Sequence, residues 1–139
     1  MRLSTLLIVT LALFFSPAVQ AEEKKSNFPE IQKLMKQLNK DMGQAQAALF
    51  TEDHEKLALL AVAIGEHPKA PLSERLKVMA TLLTDMPSFK EWDEKTHNAA
   101  KDLKAAAIAK DRKAETKAFV VITESCMGCH INFRDRLKE

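Results

Sequence analysis

Two cysteines are all that the 139 residues contain, and they stand three apart, so no disulfide framework holds this chain together. Charge of one sign is also lacking. Lysine and arginine number 21 against 19 aspartates and glutamates, a formal net charge of +2 with no clustered basic surface, which gives no support for nucleic-acid binding. No apolar run reaches the roughly 20 residues that a bilayer span needs. Leu6 to Phe15, interrupted by Thr10, comes nearest and falls short. Nowhere do apolar and polar residues alternate as in a half-buried strand, and there is no tandem repeat or low-complexity tract. What remains is helical periodicity and one dense cluster of reactive side chains near the end.

The first residues read as a targeting segment. Arg2 supplies a positive start, the Leu6–Phe15 run an apolar middle, and Val19-Gln20-Ala21 small residues at a cleavage point, so residues 1–21 are expected to be a signal peptide removed after Ala21. Residues 22–139 then form the mature chain in the periplasm, with no membrane span left. Losing Arg2 lowers the formal charge from +2 to +1. A chain of this length makes one domain with a real core.

Apolar residues at steps of three and four mark the helices. Ile31, Leu34, Met35, Leu38, Met42, Ala45 and Leu49 line one face of a first helix ending near Phe50, with Asn27 as its cap, Glu30 as the reciprocal partner and Pro29 in the first turn. Gly43 within it implies close packing against a neighbour or a cofactor. A second helix starts near Thr51 or Asp53 and stops at Gly65. A further piece from about Leu72 to Asp85, joined to the second or separate from it, buries Leu76, Met79, Leu82 and Leu83 before Pro87 breaks it. Ser88 and Glu91 then form a capping box for a helix with Phe89, Trp92, Thr96, Ala99, Leu103 and Ala106 on one face. The turn into the last helix is expected at Lys110 to Lys113, capped by Asp111. Four main helices with facing apolar stripes and short connections predict an all-α, antiparallel four-helix bundle.

The last helix carries Cys126-Met127-Gly128-Cys129-His130. Two thiols three apart followed at once by histidine are the attachment signature of a c-type haem, the thiols adding to the porphyrin vinyls and the imidazole binding iron as proximal ligand. On a helix, Cys126, Cys129 and His130 span an arc of roughly 100°, so all three reach one flat macrocycle. Phe119, Ile122 and Phe133 share that arc. Three other readings stand beside this one. A redox dithiol wants a βαβ context, a closed zinc site wants four ligands, and a disulfide across two residues closes a tiny strained loop.

Several stretches together resemble a known family. Ala105-Ala106-Ala107, Lys110-Asp111, Ala118-Phe119 and Cys126-Met127-Gly128-Cys129-His130-Ile131-Asn132-Phe133-Arg134 resemble the last two helices of cytochrome c′ and its class II relatives, and Leu34 to Gly43 resembles the family's opening helix with its Met-Gly pair. The resemblance is specific at both ends of the mature chain and loose between residues 51 and 90. It implies one covalent haem c in a four-helix bundle. The family's early arginine near the propionates is absent, since Ile31 occupies that position.

Function then turns on the sixth iron ligand. In the family's low-spin branch a methionine of the first helix takes that place, and the slot, about two turns before Met42, is Met35. Met35 also lies on the apolar stripe, where methionines mostly pack. His54, His67 and His97 read as solvated residues on polar faces or in breaks. Phe119, Phe133, Leu34 and Leu38 are candidate haem walls, and Arg134 a candidate partner for a propionate or the haem edge. Lys95, Lys101, Lys104, Lys110, Lys113 and Lys117 make a solvated face that an acidic redox partner can use for docking. The expected function is single-electron carriage with His130/Met35 ligation and no enzymatic activity. The alternative is a five-coordinate binder of nitric oxide or carbon monoxide, and a third reading is a haem-free thiol or metal module. Many family members dimerise through their first two helices, so a homodimer is a candidate assembly; the redox partner is left open.

Overall fold

A computed structural model of the chain describes residues 26–138. The proposed signal peptide lies outside the described residues. Five α-helices run in order: α1 Pro29–Phe50, α2 His54–Gly65, α3 Leu72–Leu82, α4 Met86–Ala109 and α5 Arg112–Phe133, with 3₁₀ turns at Leu83–Asp85 and Asp135–Leu137. The described residues contain no strand. The four longest helices make the expected all-α bundle, with α4 packed on both α2 and α5, and α1 mainly on α2.

Local chemistry explains most of the boundaries. Asp53 caps α2 by accepting from the Lys56 N–H at 3.1 Å. At the other hairpin Lys110 takes the left-handed conformation, φ 53°, and Asp111 accepts from the N–H groups of Lys113 and Ala114 at 3.1 and 3.0 Å. That turn falls where the sequence places it. The α2–α3 question is also answered, because residues 66–71 separate two distinct helices.

Three expectations are corrected. Asn27 does not cap α1, because the cap position belongs to Phe28, which is buried and makes no side-chain cap. The carboxylate of Glu74, reaching over from α3, does the work: its two oxygens accept from the N–H groups of Glu30 and Ile31, each at 2.9 Å. This satisfies two donors that a helix start leaves orphaned. Ser88 does not open α4 either. Pro87 sits within the first turn, where its missing N–H costs nothing, and the helix begins before it.

The third correction concerns α3. Its buried face is Glu74, Val78 and Leu82, while Leu76, Met79 and Leu83 are exposed. Turning Glu74 toward α1 sets the phase of the whole helix, because residues at i, i+4 and i+8 share its side. Of the two packings expected for Gly43, the one against a protein neighbour is absent: no non-local atom lies within 4 Å of the place a Cβ would occupy.

Two clusters make up the core. One joins Ala45, Ala48, Leu57, Ile64, Leu103 and Ile122 from the four bundle helices. The other, at the opposite end, holds Phe28, Val78, Leu82 and Phe133 with Ile31, Phe89 and Trp92 packed on it. The alanines of α4 permit close approach, and a Cβ on Gly65 of α2 would stand 2.9 Å from that of Ala100. No helix among the described residues is long and apolar enough to cross a membrane.

Candidate functional site

The motif lies where the two core clusters meet. Cys126 packs against the first and Cys129 against the second, both half-buried, with His130 half-buried beside them. Opposite stands α4. Trp92 lies against the backbone of Gly128, so closely that a Cβ there would come 2.5 Å from the indole. One turn on, the Thr96 hydroxyl donates to the Trp92 carbonyl at 3.0 Å and lies 2.8 Å from Ser125 Oγ, which is fully buried and also bonds the Ile122 carbonyl at 2.9 Å. The two hydroxyls have two protons for these three contacts, so whichever one donates to the other gives up its own carbonyl. Residue spacing puts Trp92 and Thr96 on the inner face of their helix but carries no signal that links them to the motif.

Burial shapes the electrostatics. It raises the Cys126 thiol, with the nearby Thr96 hydroxyl pulling the other way. Cys129 is pushed up to about 11, first by burial and then by the negative charge of Asp93 and by Cys126. Redox-active dithiols need depressed values, so these are poor candidates for exchange chemistry. Neither thiol joins a group of three or more metal-ligating side chains among the described residues, which leaves the zinc reading without its ligand set. His130 is lowered by burial and then by Arg134, so the imidazole is neutral near pH 7, the form that coordinates metal.

Two thiols and a neutral imidazole on one helix face, at the gap between two apolar clusters, fit a haem held through thioethers. Phe133 is 4% exposed and stands edge-on to Phe89, with ring centroids 5.4 Å apart. Phe119 is half-buried against the other cluster. Most of the chain, residues 19–134, matches the family model described as Cytochrome C'. The chain belongs to the cytochrome c′ family. Comparisons with curated proteins and with solved structures returned no match. Membership in the cytochrome c′ family makes this a haem c cytochrome, and gives the bundle its cofactor class.

The remaining site residues are spread over three places. Met35 is 39% exposed and belongs to neither core cluster. Leu34 and Leu38 are half-buried and border an open groove of about 930 Å³ between α1 and residues 63–71, to which α5 contributes no residue. Arg134 is exposed, its backbone N–H bonded to the His130 carbonyl at 3.1 Å. The six lysines of α4, α5 and the turn between them are all exposed.

The histidines read as solvated are a further correction. His54, His67 and His97 are all half-buried and bonded: His54 Nδ1 lies 2.6 Å from the buried Glu115 carboxylate, His97 Nδ1 bonds the Gly65 carbonyl, and His67 Nδ1 the Pro68 carbonyl. His54 opens α2 and His67 follows its end, while His97, in the middle of α4, reaches across to the Gly65 carbonyl at the end of α2.

Proposed function

We propose that this chain is a periplasmic electron carrier and not an enzyme, holding one haem through Cys126 and Cys129 with His130 and Met35 as axial ligands. The observation that carries the reading is the standing of Met35. A methionine on an apolar stripe ordinarily fills a core, yet this one lies outside both clusters and is 39% exposed.

Helix register supports the pairing. Ile31 packs on the cluster of Phe133, and Met42 on that of Ile122. With equal rise in two antiparallel helices, Met35 falls alongside the Cys126–His130 stretch. Contact between α1 and α5 is sparse beside that between α4 and α5.

When bound, the haem supplies the one-electron couple. The chain's residues do the rest. Cys126 and Cys129 anchor it to α5, neutral His130 donates a nitrogen, and Met35 offers a soft sulfur that favours ferrous iron and raises the potential. Phe133 and Phe119 serve as apolar walls, whereas Leu34 and Leu38 border the groove beside residues 63–71 and are left out of that role; Arg134 offers a charge toward a propionate. The exposed lysines of α4 and α5 present a docking face to an acidic redox protein, and the bundle can pair with a second copy through its first two helices.

The axial spectrum tests this reading against gas binding. Ferric holoprotein should be low-spin with the weak far-red band of sulfur ligation, and Met35→Ala should turn it high-spin. An unchanged spectrum in the variant removes Met35 from the iron, and a high-spin wild type transfers the assignment to a binder of nitric oxide or carbon monoxide.

A further inference from the structure

Three side chains that the haem assignment does not use converge at the end of α2. His67, Asp93 and His97 each offer one ligand atom, and all three atoms lie within 4.8 Å of one another. Asp93 and His97 project from one face of α4, being one turn apart, while His67 comes from the connection between α2 and α3.

Proton bookkeeping shows what this cluster lacks. A carbonyl oxygen only accepts, so His97 Nδ1, 2.5 Å from the Gly65 oxygen, carries the hydrogen. In the neutral ring Nε2 is then a bare lone pair, and it faces Asp93 Oδ2 at 3.5 Å. Two acceptors in that position repel unless a positive charge lies between them, either a second ring proton or a metal cation.

His67 favours the metal. Its own Nδ1 donates to the Pro68 carbonyl at 3.2 Å, which frees Nε2 as another neutral lone pair. Its ring stacks on that of His97, centroids 5.1 Å apart and planes at 27°. A protonated His97 would need Asp93 alone and has no use for a second imidazole. Backbone carbonyls holding the far nitrogen of each ring are also how proteins orient histidines toward a metal.

We propose that His67, Asp93 and His97 form a second metal site, taking a divalent transition-metal ion of the zinc(II) type with water in the fourth position. Two imidazoles and a carboxylate suit zinc chemistry. Donors about 2 Å from a tetrahedral ion stand roughly 3.3 Å apart, so the cluster must tighten on binding. His67 can supply that movement because residues 66–71 lie outside any helix, while Asp93 and His97 stay fixed on α4.

The test is calorimetric titration of chelator-treated holoprotein with zinc chloride, since thioether linkage removes Cys126 and Cys129 as competing thiols. One equivalent should bind, and His67→Ala and Asp93→Asn should each weaken it at least tenfold. Both positions lie at the surface or in a connection, and an unchanged helical circular dichroism spectrum confirms that the variants fold. Absence of binding, or binding that His67→Ala leaves intact, overturns the proposal. So does a histidine proton spectrum showing His97 as an imidazolium that zinc does not displace.

Discussion

The indole of Trp92 occupies the space that a side chain at Gly128 would need: a Cβ there would lie 2.5 Å from Cη2 and within 2.8 Å of two further ring atoms. Glycine inside the motif therefore sets how closely α4 and α5 approach at the level of the cysteines. A rigid ring cannot yield as the end of a flexible chain would.

Gly128→Ala should destabilise the folded protein by about 1–2 kcal/mol, because overpacking of about 1–3 kcal/mol outweighs a helix-propensity gain of up to about 1 kcal/mol. Chemical denaturation measures it. In a double-mutant cycle, Trp92→Leu should recover part of the loss, as expected for residues in contact. Additive effects would separate the two positions.

Glu74 links the start of α1 to α3. Glu74→Ala should cost about 2 kcal/mol, the sum of a lost cap and two N–H groups left without their partner. Glu74→Gln, which keeps one acceptor oxygen, should lose less. The order of urea midpoints, wild type above Gln above Ala, is the result to look for.

In chain prepared without haem, the thiols make stability depend on alkaline pH. Burial favours the protonated form in the fold and lifts Cys129 to about 11, whereas the unfolded chain releases the same proton near its ordinary 9.0. The contribution is therefore complete below pH 9 and is lost as pH rises toward 11. Urea midpoints at pH 8 and pH 10 should fall more steeply for the haem-free wild type than for Cys129→Ser. Equal slopes would contradict the burial argument.

Features written in local chemistry were legible in the sequence. The Asp111 turn depends on a side chain bonding two and three residues ahead, and the helices depend on apolar spacing, so each needs only a short window. Glu74 capping α1 was invisible for the opposite reason, since donor and acceptor stand 44 and 43 positions apart. That contact also rotates α3, which is why Leu76, Met79 and Leu83 misled as buried residues. At the site, Cys126, Cys129 and His130 announce their chemistry by spacing, while Thr96, Ser125 and Trp92 are ordinary residue types whose role appears only when α4 and α5 meet.

If Met35 of α1 holds the iron face opposite His130, as proposed, that face is closed to small gases. Reduced holoprotein exposed to carbon monoxide tests it most directly. With Met35 bound, the ferrous wild type should be low-spin and keep its spectrum under carbon monoxide; prompt formation of the carbonyl adduct from a high-spin ferrous protein would take Met35 off the iron.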